Sequence, residues 1–227
     1  LMDFTSLPLP GEPLIALQQG LGKLDQLSAA PAQAEAIRAY ARQLVELGVS
    51  GDLAAKTLSL LNDALTWKVI QLTVARHRLP SVDWCWLALG SEGRHEQTFV
   101  SDQDNGLIFS ATDAQEAAAL RQLFLPFAQD VNAQLALCGF TLCPGNIMAG
   151  NPAWCLSLDE WREQFQDWVR CPDPAALLNA SIFFDLRPLY GVAPLVDSLR
   201  KMLLEQTQAT SAFLHLMAAN ALQAEVP

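Results

Sequence analysis

Hydrophobic positions follow a helical period near both ends of the chain and form short apolar runs in its centre. Ile37, Ala41 and Leu44 recur every three or four positions, which is the spacing of one helix face. Residues 84–89 (WCWLAL) instead form a continuous, aromatic-rich run, which is typical of a buried strand. The patterns predict helices over 31–47, 50–79, 113–138, 157–170 and 174–186 and from about 194 onward, with strands over 84–89, 102–109 and 140–143.

Residues suited to helix ends support these boundaries. Gly48 and Gly139 follow predicted helices, where glycine is a common stop signal. Two predicted helices begin with the spacing of a capping box, at Asp113 with Glu116 and at Ser157 with Glu160.

This order of elements predicts an α+β fold, in which a small mixed sheet is flanked by N-terminal and C-terminal helical regions. Three prolines near the start predict an extended segment there. The predicted parts are an extended lead-in over 1–22, an N-terminal helical region over 23–81, a core over 82–153, and a C-terminal helical region over 154–227 that we expect to be truncated.

Composition narrows the classes of function. The 227 residues are 51% hydrophobic, which is typical of globular proteins, and they carry a formal net charge of −10. Such an acidic chain is poorly suited to bind the phosphate backbones of nucleic acids. No apolar run reaches the roughly 20 residues of a membrane span, so we expect no membrane partner. Five cysteines without a CxxC pair argue against disulfides and zinc, which favours a cytoplasmic location.

The segment after the first predicted strand has the features of a phosphate-binding turn. Gly90 permits a tight turn, Ser91 adds a hydroxyl, and a short polar helix is expected to begin there. The first N–H groups of a helix have no partner within it and lie at the positive end of its dipole. Phosphate is therefore the natural ligand of this turn.

Two aspartates at the start of the second predicted strand form a candidate metal site. Asp102 and Asp104 share one face of a strand, with Cα atoms roughly 6.5–7 Å apart. Such carboxylates repel one another without a cation, and their oxygens suit Mg²⁺ (or Mn²⁺). Together the turn and the pair indicate nucleotidyl transfer from an NTP. A calcium-binding loop is excluded because Gly106 comes one residue early. A dinucleotide-binding motif is excluded because Glu96 lies near the position where the last glycine of that motif is required.

The same stretch resembles the nucleotidyltransferase-fold enzymes, whose signature is Gly-Ser or Gly-Gly followed by Asp-x-Asp. It is similar to the protein-modifying branch, which includes the uridylyltransferase of PII signalling proteins and the adenylyltransferase of glutamine synthetase. It is most similar to a family of signal-transduction nucleotidyltransferases that often carry CBS-type or cyclic-nucleotide-binding domains upstream. The matching segments are LNDALT at 61–66, WLALGSEGRHEQT at 86–98, SDQDN at 101–105, CPGNIMAGNP at 143–152 and SIFFDLRPLYG at 181–191.

The resemblance implies roles for individual residues. Asp102 and Asp104 would be the catalytic and metal-binding acids. The fold commonly supplies a third carboxylate from a later strand, but 140–143 contains none, so Asp185 is a candidate substitute in the metal site. The residues expected to contact phosphates or the nucleotide are Gly90, Ser91, Gly93, Arg94, Glu96 and Arg187.

Other polar and aromatic residues are expected to have structural roles. Asn62 and Asp63 interrupt an apolar helix, which predicts a hydrogen bond to another element. His95 is expected at the surface, and Cys143 and Cys155 are expected to pack as small hydrophobes. A stripe expected to form core or a docking face consists of Trp161, Phe165 and Trp168.

These observations predict a metal-dependent nucleotidyltransferase that moves an NMP from an NTP to a hydroxyl, most simply on a protein, in signal transduction. Upstream sensory domains are expected in the full-length protein. The alternative is a catalytically weak or inactive regulatory module that binds a nucleotide or a partner protein. The missing third carboxylate favours that alternative, and the intact aspartate pair disfavours it. An RNA-modifying transferase is disfavoured by the net charge of −10.

Overall fold

The computed structural model describes residues 12–100, 102–171, 180–210 and 215–216. Short 3-10 turns lie at Leu27–Ala29 and Pro152–Trp154, and residues 180–183 are helical. None of the described helices has the length and hydropathy needed to cross a membrane. In chain order the other elements are α1 (Glu12–Lys23), α2 (Ala30–Glu46), α3 (Gly51–Val74), β1 (Trp84–Ala88), α4 (Gly90–Gly93), β2 (Asp102–Gln103), β3 (Asn105–Phe109), α5 (Ala114–Leu137), β4 (Thr141–Leu142), β5 (Cys155–Ser157), α6 (Leu158–Arg170), β6 (Arg187–Gly191) and α7 (Ala193–Ala209).

Four of the strands form a mixed sheet in the order β5–β3–β1–β6. β1 is antiparallel to both of its neighbours, whereas β3 and β5 are parallel. β2 and β4 form a separate parallel pair, in which Asp102 lies opposite Thr141 and Gln103 lies opposite Leu142. A small mixed sheet with helical flanks confirms the predicted α+β class.

Helices cover both faces of the sheet. Successive side chains of β1 point to opposite faces. Trp86 and Ala88 pack in a core with residues of α1, α2, α3 and α5. Cys85 and Leu87 pack in a second core with residues of α6 and α7. Because both faces of the strand are buried, the run WCWLAL does not alternate between apolar and polar residues.

The extended lead-in predicted over 1–22 is wrong for residues 12–22, which form most of α1. Pro13 falls in the first turn of this helix, where its missing N–H breaks no hydrogen bond. The proline is therefore a helix-start signal rather than a mark of extended chain. Residues 1–11 lie outside the described residues. The side chains that bury one face of α1 are Leu14, Leu17 and Leu21.

The strand predicted over 102–109 is divided at Asp104 into β2 and β3, which belong to different sheets. The strand predicted over 140–143 is present as β4, but it pairs with β2 rather than joining the main sheet. The helix predicted over 174–186 lies partly outside the described residues, which resume at residue 180.

The capping predictions are confirmed, with one difference of partner. Ser157 and Glu160 form both hydrogen bonds of a capping box at the start of α6. Asp113 accepts a hydrogen bond from the Glu116 N–H (2.8 Å). The Glu116 carboxylate accepts from the Thr112 N–H (2.6 Å) instead of closing the box on Asp113.

A buried amide network joins the aspartate-bearing strands to α5. Gln103 and Asn105 flank Asp104 in the chain and lie on the face that meets this helix. Asn132 Nδ2 donates hydrogen bonds to Gln103 Oε1 (2.9 Å) and to Asn105 Oδ1 (3.0 Å). All three amide side chains are buried. Alternation along the strands leaves the Asp102 and Asp104 carboxylates on the other side of the backbone.

The same network holds the loop that follows β4. Asn105 Oδ1 accepts a hydrogen bond from the Ala149 N–H (2.8 Å), and Asn132 Oδ1 accepts one from the Gly150 N–H (2.8 Å). Gln103 Nε2 donates to the Phe140 carbonyl just before β4 (3.1 Å). Three amides therefore fix the aspartate segment, α5 and this loop relative to one another.

We expect Asn132→Ala to destabilise the protein, because it leaves buried amide and peptide groups without partners. Each unsatisfied group should lower the free energy of unfolding by roughly 1–3 kcal/mol, measured by urea denaturation. The matched control is Gln129→Ala, which removes an exposed side chain that also bonds to Gly150 (3.2 Å). The control should change stability by less than about 0.5 kcal/mol. Equal losses in the two variants would contradict this account of the network.

Candidate active site

Strand β1 ends in the turn that was predicted to bind phosphate. The Leu89 N–H donates a hydrogen bond to the Asp104 carbonyl (3.0 Å), which ties the end of β1 to the aspartate segment. The first bond of α4 runs from the Gly93 N–H to the Leu89 carbonyl (2.9 Å). The N–H groups of Ser91 and Glu92 come before this bond and have no acceptor among the described residues. They are available to a ligand.

Gly90 places the turn directly against Asp104. Its φ is +51°, in the region that favours glycine. A Cβ atom at Gly90 would lie 2.7 Å from Asp104 Oδ2, which is closer than non-bonded atoms approach. The structure thus brings the predicted phosphate-binding turn and the predicted metal-binding carboxylate into contact.

Gly93 has a packing role. A Cβ atom there would lie 2.2 Å from the Asp185 carbonyl oxygen and 3.3 Å from that of Ala88. The close approach of these backbones accounts for the glycine without any contact to a nucleotide, and such a contact stays a prediction.

The aspartate pair is completed by a thiol. Ligand atoms of Asp102, Asp104 and Cys143 all lie within 4.8 Å of one another, so they could hold a metal ion. Asp185, the predicted substitute for a third carboxylate, is not part of this group and instead pairs with Arg94 (2.8 Å). Cys143 is partly buried and packs against the second core, as expected of a small hydrophobe, and its thiol also lies beside the two carboxylates. Cys155 is buried in the core as expected.

Electrostatics favour a cation beside Asp104. Burial raises the pKa of the Asp104 carboxyl above its usual value, and the carboxylate of Asp102 raises it further. The hydrogen bond from the Cys143 thiol opposes that rise. An ion between the two aspartates would relieve both the burial cost and the mutual repulsion.

Three of the predicted site residues form an exposed charge cluster. Arg94 donates from Nε to Glu96 (2.7 Å) and from Nη1 to Asp185 (2.8 Å). The side chains of all three are more than a third exposed, so the pairs are accessible to solvent and to a ligand. Arg94 thus pairs with Glu96, and a contact of either residue with a nucleotide stays a prediction.

Arg187 is hydrogen-bonded to the turn from its interior side. Its Nη2 donates to Asp63 (2.9 Å) and to the Glu92 carbonyl (3.0 Å), so it links α3, β6 and α4. The hydrogen bond predicted for Asp63 is therefore present, and Asn62 likewise bonds to Gln97 (3.2 Å). These contacts lie inside the protein, and a contact of Arg187 with a nucleotide stays a prediction.

His95 lies beside this ion pair. Its Nδ1 is 3.4 Å from Asp63 Oδ2, and its side chain is 31% exposed, so the ring lies partly at the surface as expected. Its φ of +57° is uncommon for a residue other than glycine.

Glu92 is the acid that sequence reasoning missed. It lies between Gly90-Ser91 and Gly93, and its side chain is buried. Burial raises its pKa to about 8, and the charges of Asp63 and Asp104 contribute to the rise, while Arg187 opposes it. The sequence carries no signal for this burial, because a four-residue helix is too short for its apolar face to be recognised.

We expect Gly90→Ala to destabilise the protein by at least about 1–2 kcal/mol, the usual cost of left-handed backbone for alanine. It should also displace the Asp104 carboxylate. The measurement is thermal or urea unfolding. Gly22→Ala on α1 is the control, because a Cβ atom there meets nothing within 4 Å. That variant should be as stable as wild type or slightly more stable. A Gly90→Ala protein of wild-type stability would refute this account of the turn.

We expect Glu92→Gln to flatten the dependence of stability on pH. The pKa of Glu92 is about 8 in the folded protein, against an ordinary value of 4.5, so the folded state binds more protons than the unfolded chain between these values. Stability from the neutral carboxyl is complete below the lower value and is lost as pH rises through about 8. Urea denaturation from about pH 5 to about pH 9 should show a smaller loss for Glu92→Gln than for wild type.

Glu96→Gln provides the matched control, because Glu96 is exposed in the same segment. Its stability should follow the wild-type pH dependence. Identical slopes for wild type and Glu92→Gln would show that Glu92 is not protonated in the folded protein.

Comparison with known families agrees with this geometry. The family described as "Putative nucleotidyltransferase DUF294" matches residues 35–175, which is more than half of the chain. The matched range contains the turn at Gly90, both aspartates and Cys143. No curated protein matches the chain significantly. The chain therefore belongs to the DUF294 family of nucleotidyltransferases.

Proposed function

We propose that this chain transfers an NMP from an NTP to a hydroxyl group on a protein, with the help of a divalent cation. The observation that carries the proposal is the contact between the Gly90 turn and the Asp104 carboxylate. It places free N–H groups, suited to phosphate, beside a pair of carboxylates, suited to a cation. A metal–triphosphate complex needs both kinds of ligand in one place.

The two carboxylates suit a divalent cation such as Mg²⁺ or Mn²⁺. Asp102 and Asp104 offer carboxylate oxygens, and the raised pKa of Asp104 is what a nearby positive charge would reverse. When bound, the cation would neutralise phosphate charge and lower the pKa of an attacking hydroxyl.

The chain's own residues would act by binding and positioning. The N–H groups of Ser91 and Glu92 would donate to phosphate oxygens at the start of α4. Arg94, exposed beside the turn, would exchange Glu96 or Asp185 for a phosphate. Transfer by this site therefore depends on orientation and charge stabilisation, with no covalent intermediate on the protein.

A protein acceptor is favoured over a nucleic acid. The net charge of −10 opposes binding of a second polyanion. By its resemblance to the PII uridylyltransferase and the glutamine synthetase adenylyltransferase, the chain would act in cytoplasmic signal transduction, under the control of upstream sensory domains. We propose neither a nucleic-acid partner nor a membrane partner.

A regulatory module without turnover is the second candidate. It is favoured by one observation, that a thiol stands where the fold commonly has a third carboxylate. Such a module would bind the nucleotide at the same turn and signal through a change of shape or a partner.

We expect one nucleotide to raise the unfolding temperature in a manner that depends on metal. ATP, UTP, CTP and GTP are tested with and without Mg²⁺ or Mn²⁺ by thermal unfolding. A ligand at about 100 times its Kd adds roughly 2.7 kcal/mol, or about 5–10 °C for a domain of this size. Asp104→Asn should abolish the metal-dependent shift. Asp159→Asn, which changes an exposed carboxylate on α6, should keep it.

To distinguish transfer from binding alone, the protein is incubated with α-labelled NTP and cell lysate. Label on a protein, with release of pyrophosphate and dependence on Asp104, supports the transferase. A thermal shift without label on any protein favours the regulatory module. Absence of any shift would refute both.

A further inference from the structure

Cys143 is held opposite Asp104 by strand pairing. In the parallel pair β2–β4, Asp102 lies opposite Thr141 and Gln103 lies opposite Leu142. One further step of the same register brings Asp104 level with Cys143. The thiol consequently joins the two carboxylates, with ligand atoms of all three within 4.8 Å of one another.

The backbone around the thiol is fixed independently of any ligand. The Asn146 N–H donates to the Cys143 carbonyl (2.9 Å), which closes a tight turn directly after β4. Farther along, Ala149 and Gly150 are bonded to the buried amides of Asn105 and Asn132. These bonds hold the backbone of the loop that carries Cys143 next to the aspartate segment.

Cys143 lies at the boundary between the second core and the two carboxylates. Cys143 is partly buried and its sulfur lies near the Asp104 carboxylate, whereas Cys85, Cys138 and Cys155 are buried. A cysteine that only fills space has no need to contact a carboxylate.

We propose that Cys143 is the third protein ligand of the metal site, and that it makes the site prefer cations that accept sulfur, such as Zn²⁺, Co²⁺ and Cd²⁺, over Mg²⁺. The proposal deepens the function proposed above and rests on the same aspartate pair. Thiolate is a soft ligand and favours such metals, whereas carboxylates alone suit Mg²⁺. On binding, the S–H proton leaves to solvent and the thiolate forms a bond to the metal.

The test uses metal binding to the nucleotide-free protein. Cd²⁺ is titrated into wild type under reducing-agent-free conditions, and the ultraviolet charge-transfer band of a cadmium–thiolate bond is recorded. We expect a band that saturates at one cadmium per chain. Cys143→Ser, which keeps a small polar side chain at this position, should lose the band and weaken Cd²⁺ binding by at least about tenfold. Cys171→Ser, which removes an exposed cysteine, should keep it.

Two further variants separate this proposal from a cysteine that binds cadmium alone. Asp104→Asn should weaken the band's apparent affinity by at least about tenfold. Cys143→Asp should lose the band and bind Mg²⁺ more tightly than wild type, since it supplies the third carboxylate. Thermal unfolding of each metal-free variant checks that it is folded.

The outcomes are distinct from those of the nucleotide experiment. A band unchanged in Cys143→Ser or in Asp104→Asn, or a Mg²⁺ affinity that does not rise in Cys143→Asp, would overturn the ligand role of Cys143. The proposed function would still stand if NTP binding depended on metal and on Asp104. A cadmium site of the expected composition without any NTP shift would support the ligand role and refute the proposed function.

Discussion

The site depends on the hydrogen bonds that Asn132 makes from α5. Its amide is bonded to Gln103 and Asn105 on one side and to the loop at Gly150 on the other. These buried amides hold the backbone on both sides of Asp104, so the carboxylate is positioned by groups that face away from it. A functional pair is rigid only when its supporting shell is rigid. In this chain the support is amide pairing in the interior, where an unmet partner is costly.

A second constraint is the group of buried charged side chains next to α4. Arg187 is bonded to Asp63 and to the Glu92 carbonyl, and the Glu92 carboxyl lies close enough to Asp63 and Asp104 for their charges to raise its pKa. Three acids and one arginine there leave excess negative charge in a place of low dielectric. Neutral Glu92 lessens that excess. The turn at Gly90 thus lies against a cluster whose charge state depends on pH, and α3 is joined to that cluster through Asp63.

Much of the fold and of the candidate site could be predicted from local sequence patterns. The buried strand at 84–89, the cap at Ser157 and the aspartate pair each follow from neighbours a few positions apart. The prediction of an extended lead-in failed because proline occurs both in extended segments and in the first turn of a helix. Only the burial of three leucines on one face shows that Pro13 begins a helix. The burial of Glu92 and the position of Cys143 beside the aspartates were missed, since the first depends on tertiary packing and the second on a strand pairing.

The sequence by itself determined the class of fold, the family, and the presence of a candidate phosphate-binding turn and an acidic pair, because short-range spacing encodes them. Only the tertiary structure decided which residues complete the site. The fold places Cys143, rather than Asp185, beside the aspartates, and it pairs Arg187 with Asp63. The physical reason is that these partners lie far apart along the chain. Their meeting depends on strand register and on how helices cover the sheet, neither of which any local pattern contains.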